Sequence, residues 1–312
     1  MIAIHIVTPG DSWTNAKEVY YKLLAIDPFI PITLDFKHEG PSITALGIVD
    51  TINRYCAKTG RDPKTVSVTR YLNSVDSIPY KNKSVVEPLN HFFSMSKDYW
   101  RAVAPVTDNA KQFGYFMGRR TFARGRILSD LYQQGNALLS VMQSRSVPPW
   151  VEAPQGIYLE KRTDWLTDDQ VSWLNSCPVA SLDGHAIRDQ YSKNPQTNRD
   201  ILNFYNQFTC EIVAETFTLG KTFFPTEKTI RPIMAAKPML VYGPVNFLER
   251  LKDLGFETYS SCWDESYDLL EGPARWARIK EILPTVTVND TAQAIALHNR
   301  QHLAHLIKLK GC

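Results

Sequence analysis

The chain has 312 residues, 44% of them apolar and 21% charged, a globular mixture large enough for one big domain or two ordinary ones. Its 35 basic and 32 acidic residues leave a net charge of +3, too small to require a nucleic-acid partner unless the positive charge is clustered. No apolar run approaches the roughly eighteen residues of a membrane span, and Cys56, Cys177, Cys210, Cys262 and Cys312 are scattered without a CxxC pair, which argues against a disulfide framework or a cysteine zinc site.

The opening IAIHIV reads as a first strand and not as a secretory leader, because neither a basic start nor a small-residue cleavage site accompanies it. A reducing cytoplasm is the expected compartment. Turn and cap chemistry in TPGDSW leads into the helical AKEVYYKLLA. PITLDF is a second strand, SITALGIVDTINRYCAKTG a helix ending at Gly60, and TVSVTRYL a third strand. Residues 74–106, rich in Pro, Asn, Ser and aromatics, read as a connection.

KQFGYFMG restarts the pattern with a strand, and ARGRILSDLYQQG follows as a helix. Residues 145–200 are loop-rich with short helices. CEIVAETF is a strand, TEKTIRPIMAA a helix start, PMLVYG a strand, and VNFLERLKDLG a helix closed by Gly255. DTAQAIALHNRQHLAHLIKLK is a long terminal helix. Strands alternating with helices predict an α/β chain of two Rossmann-like domains. The first is expected over residues 1–105 with its linker and the second over 106–285, with the helix of 286–312 crossing back to the first. Neither GxGxxG nor a Walker A sequence occurs, so those nucleotide fingerprints are absent.

Three stretches carry candidate chemistry. FFPTEKTIRP places Thr226, Glu227 and Lys228 where a helix should begin beyond a strand-like FF, a place whose free N–H groups and dipole favour an anion. Lys228 would meet phosphate and Glu227 would accept from sugar hydroxyls; alternatively both are ordinary first-turn charges. FGYFMGRRTFARGRILSDLY holds Arg119, Arg120, Arg124 and Arg126 within eight residues between a strand and a helix. Arginine forks suit a pyrophosphate, and a solvated basic turn is the other reading. Glu215 and Thr216 end the strand in CEIVAETF, where a carboxylate would bind a sugar or cap the next segment.

In this order the stretches resemble the second half of fucosyltransferase-type glycosyltransferases. The pieces FMGRRTFARGR, FYNQFTCEIVAET, FFPTEKTIRPIMAAKPM, LKDLGFETY and WDESYD are similar to a group of phage-encoded glycosyltransferase-like proteins. The resemblance covers roughly residues 110–280 and implies a GT-B fold with a nucleotide-sugar held by the second domain. It implies that Lys228 and Arg126 bind the pyrophosphate, that Glu227 meets the ribose or sugar, and that Glu215 lies near the sugar, with Arg124 and Thr226 also among the donor-binding residues. ETF stands where fucosyltransferases carry an Asn-Ser pair after the acid, which departs from a GDP-fucose site.

In LDFKHEGPSITALG, Glu39 follows a strand and precedes Gly40, Ser42 and a helix, a stretch the phage proteins share. An inverting transfer needs a base for the acceptor hydroxyl; Glu39 is the candidate, with His38 and Asp35 as neighbours and a helix-entry charge as the plain alternative. Asp264, Glu265 and Asp268 in WDESYD read as loop or capping residues in preference to metal ligands. His298, His302 and His305 read as a polar helix face in preference to a zinc site. No resident cofactor or metal is expected. The resemblance implies a nucleotide-sugar as partner, and its phage members suggest DNA bearing hydroxymethylated bases as acceptor; Tyr80, Phe92, Phe93, Tyr99 and Trp100 would suit a flipped base or simply form core. A glycan or protein acceptor, or a noncatalytic nucleic-acid-binding module built on the arginines, are the alternatives.

Overall fold

The computed structural model describes residues 2–6, 16–27, 29–36, 47–70, 81–85, 106–118, 121–141, 162–177, 179, 201–220 and 223–309. The chain is α/β with parallel sheets and forms two compact units. One comprises Met1–Asn90, Gln155–Leu159 and Phe217–Phe224; the other comprises His91–Pro154, Glu160–Thr216 and Pro225–Cys312, so the terminal helix groups with the second.

In the first unit, strands β1 (Ile2–Ile6), β2 (Ile32–Phe36), β3 (Val66–Arg70) and β4 (Lys81–Val85) lie side by side in chain order, all parallel. Ile2 stands opposite Ile32, and Ile32 opposite Val66. Helices α1 (Ala16–Leu24) and α2 (Ile48–Thr59) pack together, and Val19, Leu23, Ile52 and Tyr55 share one core with Ile32, Leu34 and Val66. Helix α2 ends as expected at Gly60, whose φ of 71° lies in the region open to glycine and whose N–H returns to the Cys56 carbonyl. Strand β4 falls inside the stretch expected to be a connection. KNKSV has no apolar alternation to betray a strand, and its place in the sheet comes from backbone pairing to β3.

The second unit holds strands β5 (Lys111–Met117), β6 (Ala137–Val141), β7 (Phe208–Ala214) and β8 (Met239–Tyr242), all parallel, in the spatial order β6-β5-β7-β8. The chain steps outward from β5 to β6 and then crosses to the other side of β5 for β7. Strand order therefore reverses between β5 and β7, the position at which open parallel sheets receive ligands. Strand β8 is buried throughout, as a parallel strand covered on both faces should be. At Gly114 on β5 an added Cβ would lie 2.7 Å from the Phe208 ring, so only glycine lets that ring pack across the strand.

Helix α3 (Phe122–Gln134) follows β5, and the short helices α4 (Arg162–Trp165) and α5 (Asp168–Asn175) lie in the loop-rich middle. Helix α6 (Glu227–Met234) precedes β8, and α7 (Phe247–Asp253), α8 (Gly272–Ile282) and α9 (Asp290–Leu309) complete the described chain. Phe223 and Phe224, expected to end a strand, are irregular and buried; the strand that feeds α6 is β7, which stops at Ala214. Two adjacent aromatics signal burial equally well in either conformation. Helix α9 is fastened within the second unit: Gln293 Nε2 donates to the Ala236 carbonyl at 3.0 Å, and Asn299 exchanges two 2.8 Å hydrogen bonds with the Glu257 backbone. Among the described residues no helix is long and apolar enough to cross a membrane.

Candidate functional site

Arg124, Glu215, Thr226, Glu227 and Lys228 meet at the carboxyl end of β7. Arg124 sits in the first turn of α3, where Thr121 caps the helix by accepting the Arg124 N–H. Its side chain is buried and Nη2 donates to the carbonyls of Ala214 at 3.2 Å and Glu215 at 2.7 Å. The start of the helix after β5 is thereby tied to the end of β7, across the reversal in strand order.

Glu215 is 1% exposed, and both carboxylate oxygens are engaged by protein donors. Oε1 accepts the Thr226 N–H at 3.0 Å and the Thr229 hydroxyl. Oε2 accepts the Thr226 hydroxyl at 2.6 Å and the Thr216 N–H at 3.2 Å. Thr226 in turn caps α6, its hydroxyl oxygen receiving the Lys228 N–H at 3.3 Å while its carbonyl receives Thr229 N and Ile230 N. The N–H groups expected to be free at this helix start are thus largely taken by the cap itself.

The charge that remains at the turn is on side chains. Lys228 Nζ donates to Glu227 Oε1 at 2.6 Å, to Thr216 Oγ1 at 3.1 Å and to Thr226 Oγ1 at 3.2 Å. About a tenth of each charged side chain stays accessible, 10% for Lys228 and 13% for Glu227. Burial alone would raise the Glu227 carboxyl. The Lys228 charge and hydrogen bond, with the charge of Arg231, outweigh it and hold that pKa at about 2. Glu227 is therefore a permanent acceptor at neutral pH. Pro232 inside α6 has no N–H to offer the Lys228 carbonyl, so the first turn is bound to the rest of the helix by one bond fewer.

Arg126 does not join this cluster through any described contact. Its Nε pairs with Asp130 at 2.8 Å, and Nη1 donates to the Trp165 carbonyl and Gln170 Oε1 at 3.3 and 3.4 Å. Asp130 also accepts the Trp276 indole N–H at 2.8 Å. The i and i+4 spacing along α3 accounts for the Arg126–Asp130 pair, and 29% of the Arg126 side chain stays exposed. Glu39, His38, Arg119, Arg120, Ser42, and the aromatics Tyr80, Phe92, Phe93, Tyr99 and Trp100 lie outside the described residues; Asp35 falls within β2.

The acidic residues of WDESYD have other partners. Asp268 receives the N–H groups of Leu248 and Glu249 at the start of α7 and pairs with the fully buried Arg275 at 2.8 Å. Asp264 pairs with Arg278, and Glu265 Oε1 receives the Tyr259 N–H. His302 faces the Leu254 carbonyl and His298 stands 3.8 Å from Glu257. Among the described residues no group of three His, Cys, Asp or Glu is arranged to hold a metal ion.

A second buried cluster joins β7 to the same helix. Glu211 on β7, 1% exposed, accepts from the Tyr205 hydroxyl and from Arg231 Nη2 at 3.2 Å. Burial pushes the Glu211 carboxyl up, and Arg231 and Tyr205 partly offset it. A lone glutamate inside the apolar run of β7 was the available signal, since such a carboxylate must be paired. Arg231 on α6 reaches it, so the same short helix is pinned to β7 at Glu211 and to the residue just past it at Glu215. No protein-family model, curated protein or solved structure matches the chain.

Proposed function

We propose that the protein is a nucleotide-sugar-dependent glycosyltransferase of the two-domain GT-B type, with its donor diphosphate held at the start of α6. The observation that carries the reading is the Lys228–Glu227 pair, partly accessible beside the end of β7 at the reversal in strand order. Lys228 offers an ammonium to diphosphate oxygens, aided by the positive end of α6. Glu227, kept ionised, offers an acceptor to hydroxyls one residue away. A ligand carrying both an anion and hydroxyls fits that alternation better than a bare anion does.

In the reaction the acceptor hydroxyl attacks the anomeric carbon, the bond from that carbon to the diphosphate oxygen breaks, and the base takes the hydroxyl proton. Glu39 is the proposed base and inversion the proposed outcome, both from the resemblance of the sequence. Lys228 would stabilise the departing diphosphate, where charge accumulates. Arg124 braces the site from below, and Arg126 is left to its pairing with Asp130. The proposed acceptor is a hydroxymethylated base in phage DNA.

A thermal-shift series with UDP-, GDP-, CMP- and dTDP-sugars tests the donor, because a ligand bound to the folded state raises its midpoint by mass action. The expected result is one nucleotide class that shifts the midpoint, followed by a sugar mass gain on hydroxymethylated nucleosides when duplex DNA is added. Transfer to a glycan instead would replace the acceptor. Salt-sensitive DNA binding without any response to nucleotide-sugars would overturn the enzyme reading.

A further inference from the structure

We infer that Glu215 is a positioning residue of the donor site, orienting the Lys228 ammonium through the hydroxyl of Thr226. The consequence for ligand binding rests on the donor-site reading above; the geometry does not. All four groups around the Glu215 carboxylate are donors, two of them the backbone N–H groups of Thr216 and Thr226, which cannot reverse their polarity. These two address different oxygens: Thr226 N meets Oε1 and Thr216 N meets Oε2. A glutamine here would present its NH₂ to one backbone N–H whichever way its amide were turned, so the position is made for a carboxylate.

The carboxylate fixes a direction as well as a place. With its proton committed to Glu215, the Thr226 hydroxyl can face Lys228 only with lone pairs, and it receives both Lys228 N and Lys228 Nζ. A polarised chain results, from the ammonium to the threonine oxygen and from the threonine proton to the carboxylate. Thr216 repeats the arrangement on the other side: its N–H goes to Glu215 and its hydroxyl oxygen accepts from Nζ. The three ammonium protons thus have three acceptors, two of them set by Glu215. A diphosphate oxygen that replaces one leaves Nζ held by the rest, so little ordering cost is left to binding.

The test uses the full chain and two readouts, affinity for inorganic pyrophosphate and the rate at which an amine-reactive ester acylates Lys228 relative to the exposed Lys252, read by mass spectrometry. Glu215→Gln should bind pyrophosphate at least about tenfold more weakly, and the Lys228-to-Lys252 acylation ratio should rise at least about threefold in the native state. A purely structural cap would lower the unfolding midpoint and leave that ratio unchanged, which would overturn the inference. Thr226→Val should reproduce the faster acylation and Thr226→Ser, which restores the hydroxyl, should reverse it; this pair decides the matter if Glu215→Gln does not fold. Combined with Glu215→Gln, Thr226→Val should add little, since both cut one chain. If the parent binds neither pyrophosphate nor any nucleoside diphosphate, the donor-site reading falls, while the acylation ratio still judges the positioning.

Discussion

Lys228 Nζ lies 2.6 Å from Glu227 Oε1, an ion pair between adjacent residues in the first turn of one helix. Successive helical side chains normally point apart. Here the first residue of α6 is met by an ammonium drawn back over the cap by Thr216 and Thr226. The pair is consequently a built feature of the β7–α6 junction, and substitutions on its two sides should differ in kind from surface changes.

Lys228→Met should weaken binding of the nucleoside diphosphate by about ten- to a hundredfold, the scale of a lost charge-assisted contact of about 1.5–3 kcal/mol. As an exposed helix lysine it would alter stability by no more than about half a kcal/mol. In this structure it is 8% exposed and balances a nearly buried carboxylate, so a stability loss of about 1–3 kcal/mol is expected instead. Calorimetric titration and urea unfolding separate the two. Parent-like affinity for every diphosphate would remove Lys228 from the binding site.

Acid should find Glu227. Its folded pKa of about 2 lies below the ordinary 4.5, so it contributes stability that is complete above about pH 4.5 and lost as pH falls towards 2. Glu211 and Glu265, pushed upward by burial, act with the opposite sign. The difference between the parent and Glu227→Gln cancels those contributions. That difference should shrink steadily between about pH 4.5 and 2; a constant gap across the range would show that Glu227 carries no depressed pKa.

The five residues Arg124, Glu215, Thr226, Glu227 and Lys228 were all nominated by their positions at strand ends and helix starts, and the fold does gather them. Their division of labour was not legible. Which oxygen of Glu215 meets which N–H depends on the path of the segment between Thr216 and Thr226, and no local pattern encodes that path. For Arg126 the sequence itself offers a partner, since Asp130 stands four residues on along the same helix. For the fold, β5, β7, α3 and α9 followed from periodicity and from glycine stops. Strand β4 was hidden by its lysines, and α8 by the Gly-Pro that opens it, although proline is well suited to a first helical turn.

Beneath the site, Glu211 and Arg231 should behave as a coupled unit. Arg231→Met leaves a 1% exposed carboxylate with the Tyr205 hydroxyl and the more distant Lys237 charge, which should cost about 3–5 kcal/mol. Glu211→Gln in the same background should recover much of that loss, because a neutral amide needs no counterion there. A double-mutant cycle in urea measures the coupling, and additive losses would show that the two groups do not support each other.

Lys237 offers a test at the alkaline end. It is 5% exposed, with Nζ donating to the Phe208 carbonyl at 2.9 Å and lying 5.2 Å from the Phe208 ring centre. Burial pushes its pKa down to about 8, with Cys210 and Glu211 offsetting part of the shift. Between about pH 8 and the ordinary 10.5 the unfolded chain holds this proton more than the folded one, so this group makes stability rise with pH. Below pH 8 the buried ammonium is a standing cost, bounded by the size of the shift at about 3 kcal/mol. Lys237→Met, which keeps the stem and removes the charge, should be more stable than the parent at pH 7, and its advantage should narrow as pH rises from 8 to 10. Burial also raises the Cys210 thiol, which acts against stability as the unfolded thiol ionises, but that effect is present in both proteins and drops out of the comparison. Urea unfolding of the two proteins at half-unit steps from pH 7 to 10 reads the difference directly. An advantage that stays flat, or a variant less stable than the parent at pH 7, would mean that the Lys237 ammonium is compensated where it lies.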